Sequence, residues 1–425
     1  MIDIRKLREN PDVYIQAAQD KRIAADIPRL LEVEAALSTQ KRQQQDIATE
    51  KNSIGKAIPR LDEPEKSIKL QRLKELKNNE ILINENIRRL QPEFDALMLE
   101  VPQPADAEVP VGKDDTENVE LRKEGEVRQF DFEPKDHVEL GVALDMIDIE
   151  RGVKLAGTRN YFLKGDGALL HWAVLRFAVD FMVQRGYVPM SVPLLMRNEA
   201  MQGTGYYPGS EEQTYRMERD DLSLVGTAEV PLTAYRMGEI LDERELPLKF
   251  VALSSCFRRE AGAAGKDTYG LYRIHQFDKV EQVIVCPNSD EQSAQFHEEI
   301  QANSEGVMQA LGLPYRVVAV CTGDLGRGQA KKYDIEAWMP SRGNYCETHS
   351  ASKFYDFQAR RMNLRYKDAQ AKKNLFCHTL NNTVIASPRV LIPLMELYQN
   401  ADGSITVPDV LRPYMGGKEK ISGQS

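Results

Sequence analysis

Apolar residues between about Pro28 and Leu97 recur at steps of three and four. Leu30, Val33, Leu37, Ile47, Ile54 and Ile58 form one run, interrupted by Gln40, Gln44 and Lys51. A stricter run follows: Leu73, Leu76, Ile83, Ile87, Leu90, Phe94 and Leu97, with Glu80 as its polar intruder. This spacing predicts two long helices sharing an apolar seam. The stretch PRLDEP from Pro59 to Pro64 reads as the turn between them. The pair is therefore expected to form an antiparallel two-helix coiled-coil arm, about 45 Å long at ~1.5 Å rise per residue. Few apolar residues lie off the seam, so the arm is expected to project. Pro92 is expected to start, end or kink a helix.

The pattern changes beyond the arm. Val101 to Asp115, VPQPADAEVPVGKDD, is rich in Pro and Asp and reads as a linker. After it, short apolar runs alternate with turns. Helices are predicted at Leu169 to Arg185 and Glu291 to Leu311. Strand-like runs occur at Leu248 to Phe257, Val280 to Val285, Tyr315 to Val320, Tyr333 to Met339 and Phe354 to Phe357. They lack regular βαβ alternation, which predicts an α+β fold with an antiparallel sheet flanked by helices. The expected domains are an N-terminal domain at 1–100 with the arm at about 28–98, a linker at 101–120, and a second domain at 121–425.

With 425 residues the chain can bury two or three cores, and 42% apolar with 28% charged residues fits a globular protein. No apolar run approaches the roughly 20 residues of a membrane span, and MIDIRKLREN lacks the apolar core of a signal peptide. A cytoplasmic location without membrane attachment is expected. The five cysteines are scattered and never spaced as Cys-x-x-Cys, which argues against a disulfide framework or a zinc site. A net charge of −9 argues against global attraction to nucleic acid. The arm is nevertheless locally basic, with Lys41, Lys51, Lys56, Arg60, Lys69, Arg72, Lys74, Lys77, Arg88 and Arg89. A solvated, salt-bridged face would account for this charge, and so would a polyanion-binding lever.

Chemistry concentrates in Phe257 to Glu281, FRREAGAAGKDTYGLYRIHQFDKVE. It reads as a hairpin with a long glycine-bearing tip and charged residues on the strands beside it. An arginine on a rigid strand suits bidentate phosphate binding. No GxxxxGK[ST] loop exists, and no GxGxxG follows a strand, so nucleotide binding of the P-loop or Rossmann kind is excluded. The whole string closely resembles motif 2 of the class II aminoacyl-tRNA synthetases, in the form carried by seryl-tRNA synthetases. The resemblance continues along the chain. Leu155 to Pro193 resembles motif 1, with Pro193 as its proline. LVGTAEVP at Leu224 to Pro231, YCETHSASKFYDFQARR around Glu347, and LNNTVIASPRVLIPLMELYQ at Leu380 to Gln399 resemble later family segments, the last being motif 3.

That resemblance implies an activity: formation of seryl-adenylate from L-serine and ATP with Mg²⁺, then transfer of serine to the 3′ end of tRNA(Ser), and also of tRNA(Sec). Arg258 and Arg389 would be the catalytic pair, on the α- and γ-phosphates. Thr227, Ala228 and Glu229 would hold the serine amino end. Thr227 and Glu229 also lie two apart on a segment read as extended, so they are expected to face one side. Glu281 and Thr383 would read the hydroxyl. ATP would meet Arg258, Arg259, Glu260, Ile274, Phe277, Glu347, Thr348, His349, Ser350 and Arg389. Glu347 and Ser350 would hold the metal. His275 is expected to have a structural role.

The family also implies a homodimer built on motif 1, and an arm that grips tRNA. Departures exist. His349, Ala351 and Lys353 stand where the family commonly has other residues, and Asn382, Ser387 and Pro388 replace glycines before Arg389. Ser387 and Pro388 are read as the start of a helix with Arg389 in its first turn. The tail GGKEKISGQS is expected to be disordered. Two other functions compete: an amino acid:carrier-protein ligase of the same fold, which would lack the arm, and a coiled-coil interaction protein with a decayed catalytic domain.

Overall fold

The structure, a computed structural model, describes residues 1–262 and 269–423. The chain divides into two compact units, Ile2–Pro102 and Gln103–Ser425.

The first unit is helical: α1 (Ile4–Glu9), α2 (Pro11–Asp20), α3 (Ile27–Ala57) and α4 (Glu63–Glu100). Asp26 caps α3 by accepting from the Arg29 N–H at 2.9 Å, and Asp62 caps α4 at Glu65. Ile47, Ile54, Leu76 and Ile83 are buried between the two long helices, with Ile58, Leu73 and Ile87 packed against them. The polar residues that interrupt the seam meet one another. Lys51 Nζ lies 2.7 Å from Glu80, Gln44 donates to Asn84 at 2.7 Å, and Asn86 donates to Gln40 at 3.3 Å. Pro92 neither starts nor ends a helix. It sits inside α4, which runs on to Glu100.

The second unit is built on an eight-stranded sheet: β1 (Val119–Glu124), β2 (Val188–Pro189), β3 (Leu248–Phe257), β4 (Gln276–Cys286), β5 (Tyr315–Ala319), β6 (Lys331–Met339), β7 (Asn344–Tyr355) and β8 (His378–Ser387). Their order is β1-β5-β6-β7-β8-β4-β3-β2, antiparallel throughout except for the β2–β3 edge. Two long helices cover one face: α6 (Asp166–Gln184), which follows the short α5 (His137–Ala143), and α8 (Asp290–Ala310), which follows α7 (Glu229–Ala234). Residues alternate across the sheet. On β4, Val280 and Ile284 join the core under α6 and α8, while Val283 and Val285 join a second core beneath α7. Glu281, Lys279 and Phe277 continue that second face toward the strand's start, where a cleft replaces the core.

Four local readings are corrected. The Phe354–Phe357 strand is the end of β7, and Phe357 opens helix α9 (Phe357–Met362). Thr227 and Glu229 are not on an extended segment, because Glu229 is the first residue of α7 and Ala228 its αR cap. Ser387 does not start a helix. β8 runs to it, a turn carries Arg389, and α10 spans Leu391–Leu397. The Pro388 ring fits the turn, and the strand reaches Ser387 because its pairing with β4 runs on to Asp278. The described part of the tail is folded: Lys420–Ile421 pairs with Ile405–Thr406, and Ile421 is 1% exposed, while residues 424–425 of that expectation lie outside the described residues. Positive φ at Gly416 and Gly417 reverses the chain so that Ile421 can fill the core.

Candidate active site

The cleft floor comes from three neighbouring strands. β4 presents Phe277, Lys279 and Glu281, β8 presents Asn381, Thr383 and Ala386, and β7 presents Glu347, Thr348, Ser350 and Ser352. Strict alternation cannot place Glu347 with Ser350, or Thr383 with Ala386, on one face, because each pair is three residues apart. Two bulges restore the phase. Between Ile335 and Glu336 of β6 the pairing skips Thr348 on β7. Between Val280 and Glu281 of β4 it skips Val384 on β8. Bulges near active sites re-aim side chains in this way.

His349 joins the two bulges. Its Nε2 donates to the Val384 carbonyl at 3.0 Å, and its Nδ1 lies 2.7 Å from Thr348 Oγ1. The ring is 1% exposed, and burial lowers its pKa to about 4. It is therefore a neutral bracket on the far side of β7, its side chain outside the cleft that the sequence reading assigned it to. Arg259 is likewise outside the cleft. The chain alternates at the end of β3, so Arg258 lines the cleft while Arg259 is exposed, its N–H donating to the Gln213 carbonyl.

At one end of the cleft stand two carboxylates. Glu229 accepts from Gln358 Nε2 at 2.9 Å and from the Tyr206 hydroxyl at 3.4 Å. Burial, helped by the charge of Glu281, raises its pKa to about 7. Thr227 and Ala228 lie buried beneath it, with Thr227 Oγ1 accepting from the Glu229 N–H. Glu281 forms an ion pair with Lys279, which also donates to Thr383 Oγ1 at 3.4 Å. Lys279 was missed in the sequence reading. The spacing Phe277-x-Lys279-x-Glu281 on one strand was the signal that could have found it.

The other end is cationic and aromatic. Arg258 lies over the Phe277 ring and donates to the Gly226 carbonyl at 3.3 Å. Arg389 lies over the Tyr272 ring and donates to the Tyr272 and Glu347 carbonyls at 3.2 and 3.0 Å. Glu260, at φ +52°, pairs with Arg273 at 3.0 Å, and Ile274 completes this wall. Tyr272 and Arg273 also escaped sequence reading, since no periodicity operates in that loop. Residues 263–268 of the loop lie outside the described residues.

Glu347 opens to the cleft. Crowding opposes its ionisation, but Arg389, Lys332, Arg258 and Arg273 together hold it below the usual carboxylate range. Asp334 pairs in register with Ser350 one strand away, and burial pushes it up to about 7 against the pull of Lys332. A Glu carboxylate and a Ser hydroxyl are hard oxygen donors, and Mg²⁺ takes few protein ligands and completes its shell with water and phosphate. Among the described residues no group of three or more acidic, His or Cys side chains gathers as a metal cage. The donor set therefore fits a cation that arrives with a polyphosphate.

Residues 213–398 match the model of the tRNA synthetase class II core domain (G, H, P, S and T). This match, the antiparallel sheet and the paired arginines define a class II aminoacyl-tRNA synthetase. Residues 1–104 match the seryl-tRNA synthetase N-terminal domain. The chain is 46% identical over 421 residues to the serine–tRNA ligase of Deinococcus radiodurans, covering 99% of each chain, and 42% identical to that of Rubrobacter xylanophilus, covering 98% of each. Among solved structures it resembles seryl-tRNA synthetase from Pyrococcus horikoshii complexed with ATP (TM-score 0.91, 34% identity, 100% of both chains). It also resembles the cytoplasmic serine–tRNA ligase of Naegleria fowleri in complex with AMP (TM-score 0.85, 32% identity, 98% and 96% of the chains). The chain belongs to the seryl-tRNA synthetase family.

Proposed function

We propose that this protein is a serine–tRNA ligase. A serine carboxylate oxygen attacks the α-phosphorus of ATP and diphosphate leaves, giving seryl-adenylate. A terminal ribose hydroxyl of tRNA then attacks the seryl carbonyl and AMP leaves. The observation that carries this reading is the convergence of Arg258 and Arg389 on one cleft whose far end holds Glu229 and Glu281. Arg258 would bridge the serine carboxylate and the α-phosphate, Arg389 would take the γ-phosphate, and Glu229 would receive the ammonium group. Positioning and charge stabilisation carry such a step without a general base. Glu281, with Lys279 and Thr383, would bond the serine hydroxyl, so alanine would strand buried polar groups. Mg²⁺, held by Glu347 and Ser350, would neutralise charge on the phosphates. Phe277 would stack on adenine, with Glu260 and Ile274 at its edge.

The domain assignment follows the same reading: an arm that grips tRNA, then a catalytic domain. Lys56, Arg60, Lys69, Lys74 and Lys77 are exposed on the arm and form no ion pair among the described residues, which suits a polyanion. A carrier-protein ligase would have no use for this arm. Phe162, Leu169, Trp172 and Val188 leave apolar surface exposed, Trp172 at 62%, which supports a homodimer through the motif 1 region. No helix among the described residues is long and apolar enough to cross a membrane, which supports a cytoplasmic location. Serine-dependent exchange of diphosphate into ATP, followed by charging of purified tRNA(Ser) and tRNA(Sec), tests the proposal. Exchange with no tRNA charged would favour the carrier-protein ligase, and no exchange would favour a decayed domain.

A pH dependence follows from Glu229. Its folded pKa of about 7 lies above the ordinary carboxyl value, so the protonated form dominates below pH 7. The serine ammonium group needs the carboxylate. Between pH 8 and pH 6 the serine KM should rise roughly tenfold, following the ionised fraction, while the ATP KM holds steady. Glu229→Gln should have a high serine KM with no such slope. A steep slope retained in that variant would remove Glu229 from serine binding.

A further inference from the structure

We propose that His137 is a positioning residue for the nucleotide. It lies outside the cleft, on α5, and clips the returning arm of the β3–β4 loop to the helix that follows Arg389. The inference rests on the ATP-binding reading above. His137 is 4% exposed and uses both ring nitrogens. Its Nδ1 lies 2.8 Å from Glu396 Oε1, on the fully buried side of α10. Its Nε2 accepts from the Leu271 N–H at 3.2 Å. Only the neutral ring with its proton on Nδ1 makes both bonds.

The surroundings are built for this contact. Glu396 also accepts from the His137 N–H at 3.1 Å, the Ser341 N–H at 2.9 Å and the Ser341 hydroxyl at 2.8 Å. These donors satisfy a carboxylate that is otherwise costly to bury. Gly270 leaves the room the ring needs, since a Cβ there would sit 2.1 Å from Nε2. Just outside, the Tyr269 hydroxyl donates to Asp136 at 2.9 Å. Leu271 leads directly into Tyr272, Arg273 and Ile274, the wall of the cationic end. Arg342, beside Ser341, lies over the Tyr272 ring from the side of the same hub. Among the described residues the serine end, with Glu229 and Glu281, has no bond to this hub.

The consequence is selective. A broken clip should loosen the nucleotide wall and spare the serine pocket. His137→Asn keeps a donor for Glu396 and removes the acceptor for Leu271. Its ATP dissociation constant, measured by titration calorimetry without serine, should rise roughly tenfold, the worth of one buried hydrogen bond. Its serine KM should stay within about twofold. His137→Gln, which can return an acceptor toward Leu271, should recover most of the ATP affinity. Gly270→Ala, which invades the contact from the loop side and leaves Glu396 untouched, should show the same ATP-selective loss if His137→Asn fails to fold. Unchanged ATP affinity in either His137→Asn or Gly270→Ala, or equal losses for serine and ATP, would overturn the inference. Because ATP binding is read directly, a protein that binds ATP but activates no serine would sink the functional reading and leave this one standing.

Discussion

Arg258→Ala should lower serine-dependent diphosphate exchange by roughly 10³-fold, and Arg389→Ala by roughly 10²- to 10³-fold. Removal of one preorganised charge donor from a reaction centre typically costs that much. The two losses should differ in kind. In the proposed reading Arg258 would bridge the serine carboxylate and the α-phosphate, so its loss should fall mainly on kcat. Arg389 sits beside Glu347 and Tyr272 at the opposite end of the cationic wall, so its loss should also raise the ATP KM. Arg258→Lys should not rescue. An ammonium cannot bridge two anions in a fork, nor lie flat over Phe277 as the guanidinium does. Stability should change little, because Arg258 donates to one backbone carbonyl at 3.3 Å, and Arg389 adds to its two carbonyl bonds only a half-exposed ion pair with Glu347 at 3.9 Å, around which several other cations crowd. An Arg258→Ala enzyme within threefold of wild type in exchange would show that the cleft is not the site of adenylation.

The second large effect concerns the arm. Excising the outer parts of α3 and α4, from Lys41 to Gln91, and closing the gap with a short turn should leave serine-dependent exchange within about twofold of wild type. Transfer to tRNA should fall by at least about 10²-fold at low substrate, because the phosphate contacts proposed for the arm would supply most of such affinity. The same reasoning gives a control in the intact protein. Its tRNA KM should climb steeply with salt, while its ATP and serine KM values should not. If the shortened protein charges tRNA normally, the arm serves something else.

Much of this was legible in the sequence, for physical reasons. The arm's seam is a simple period, so Ile47, Ile54, Leu76 and Ile83 announced themselves. The β3–β4 hairpin and its arginine stood out because charged residues flanked a glycine-bearing turn. The bulges did not. Alternation read from sequence assumes one residue per partner, and nothing in the local pattern shows that Thr348 and Val384 are extra. His349, expected beside the nucleotide from the family resemblance, braces the strand from behind. Arg389 was seen, but its setting was misread. A Ser-Pro pair that ends a strand and leads into a turn looks much like a helix start. The His137–Glu396 hub was invisible because its partners are far apart in the chain.

The polar rungs between α3 and α4 have a consequence for reach. If the two helices slid past each other by one heptad, about 10 Å, the heptad spacing would bring most apolar seam positions into register again. Lys51, however, would then face Leu73 or Ile87 instead of Glu80. The slip would cost the half-buried Lys51–Glu80 pair and the Gln44–Asn84 and Asn86–Gln40 bonds together and set polar groups against apolar ones, which biases the hairpin toward a single register. The hairpin is thus a ruler of fixed length, and any cargo gripped near its tip is measured against a single distance.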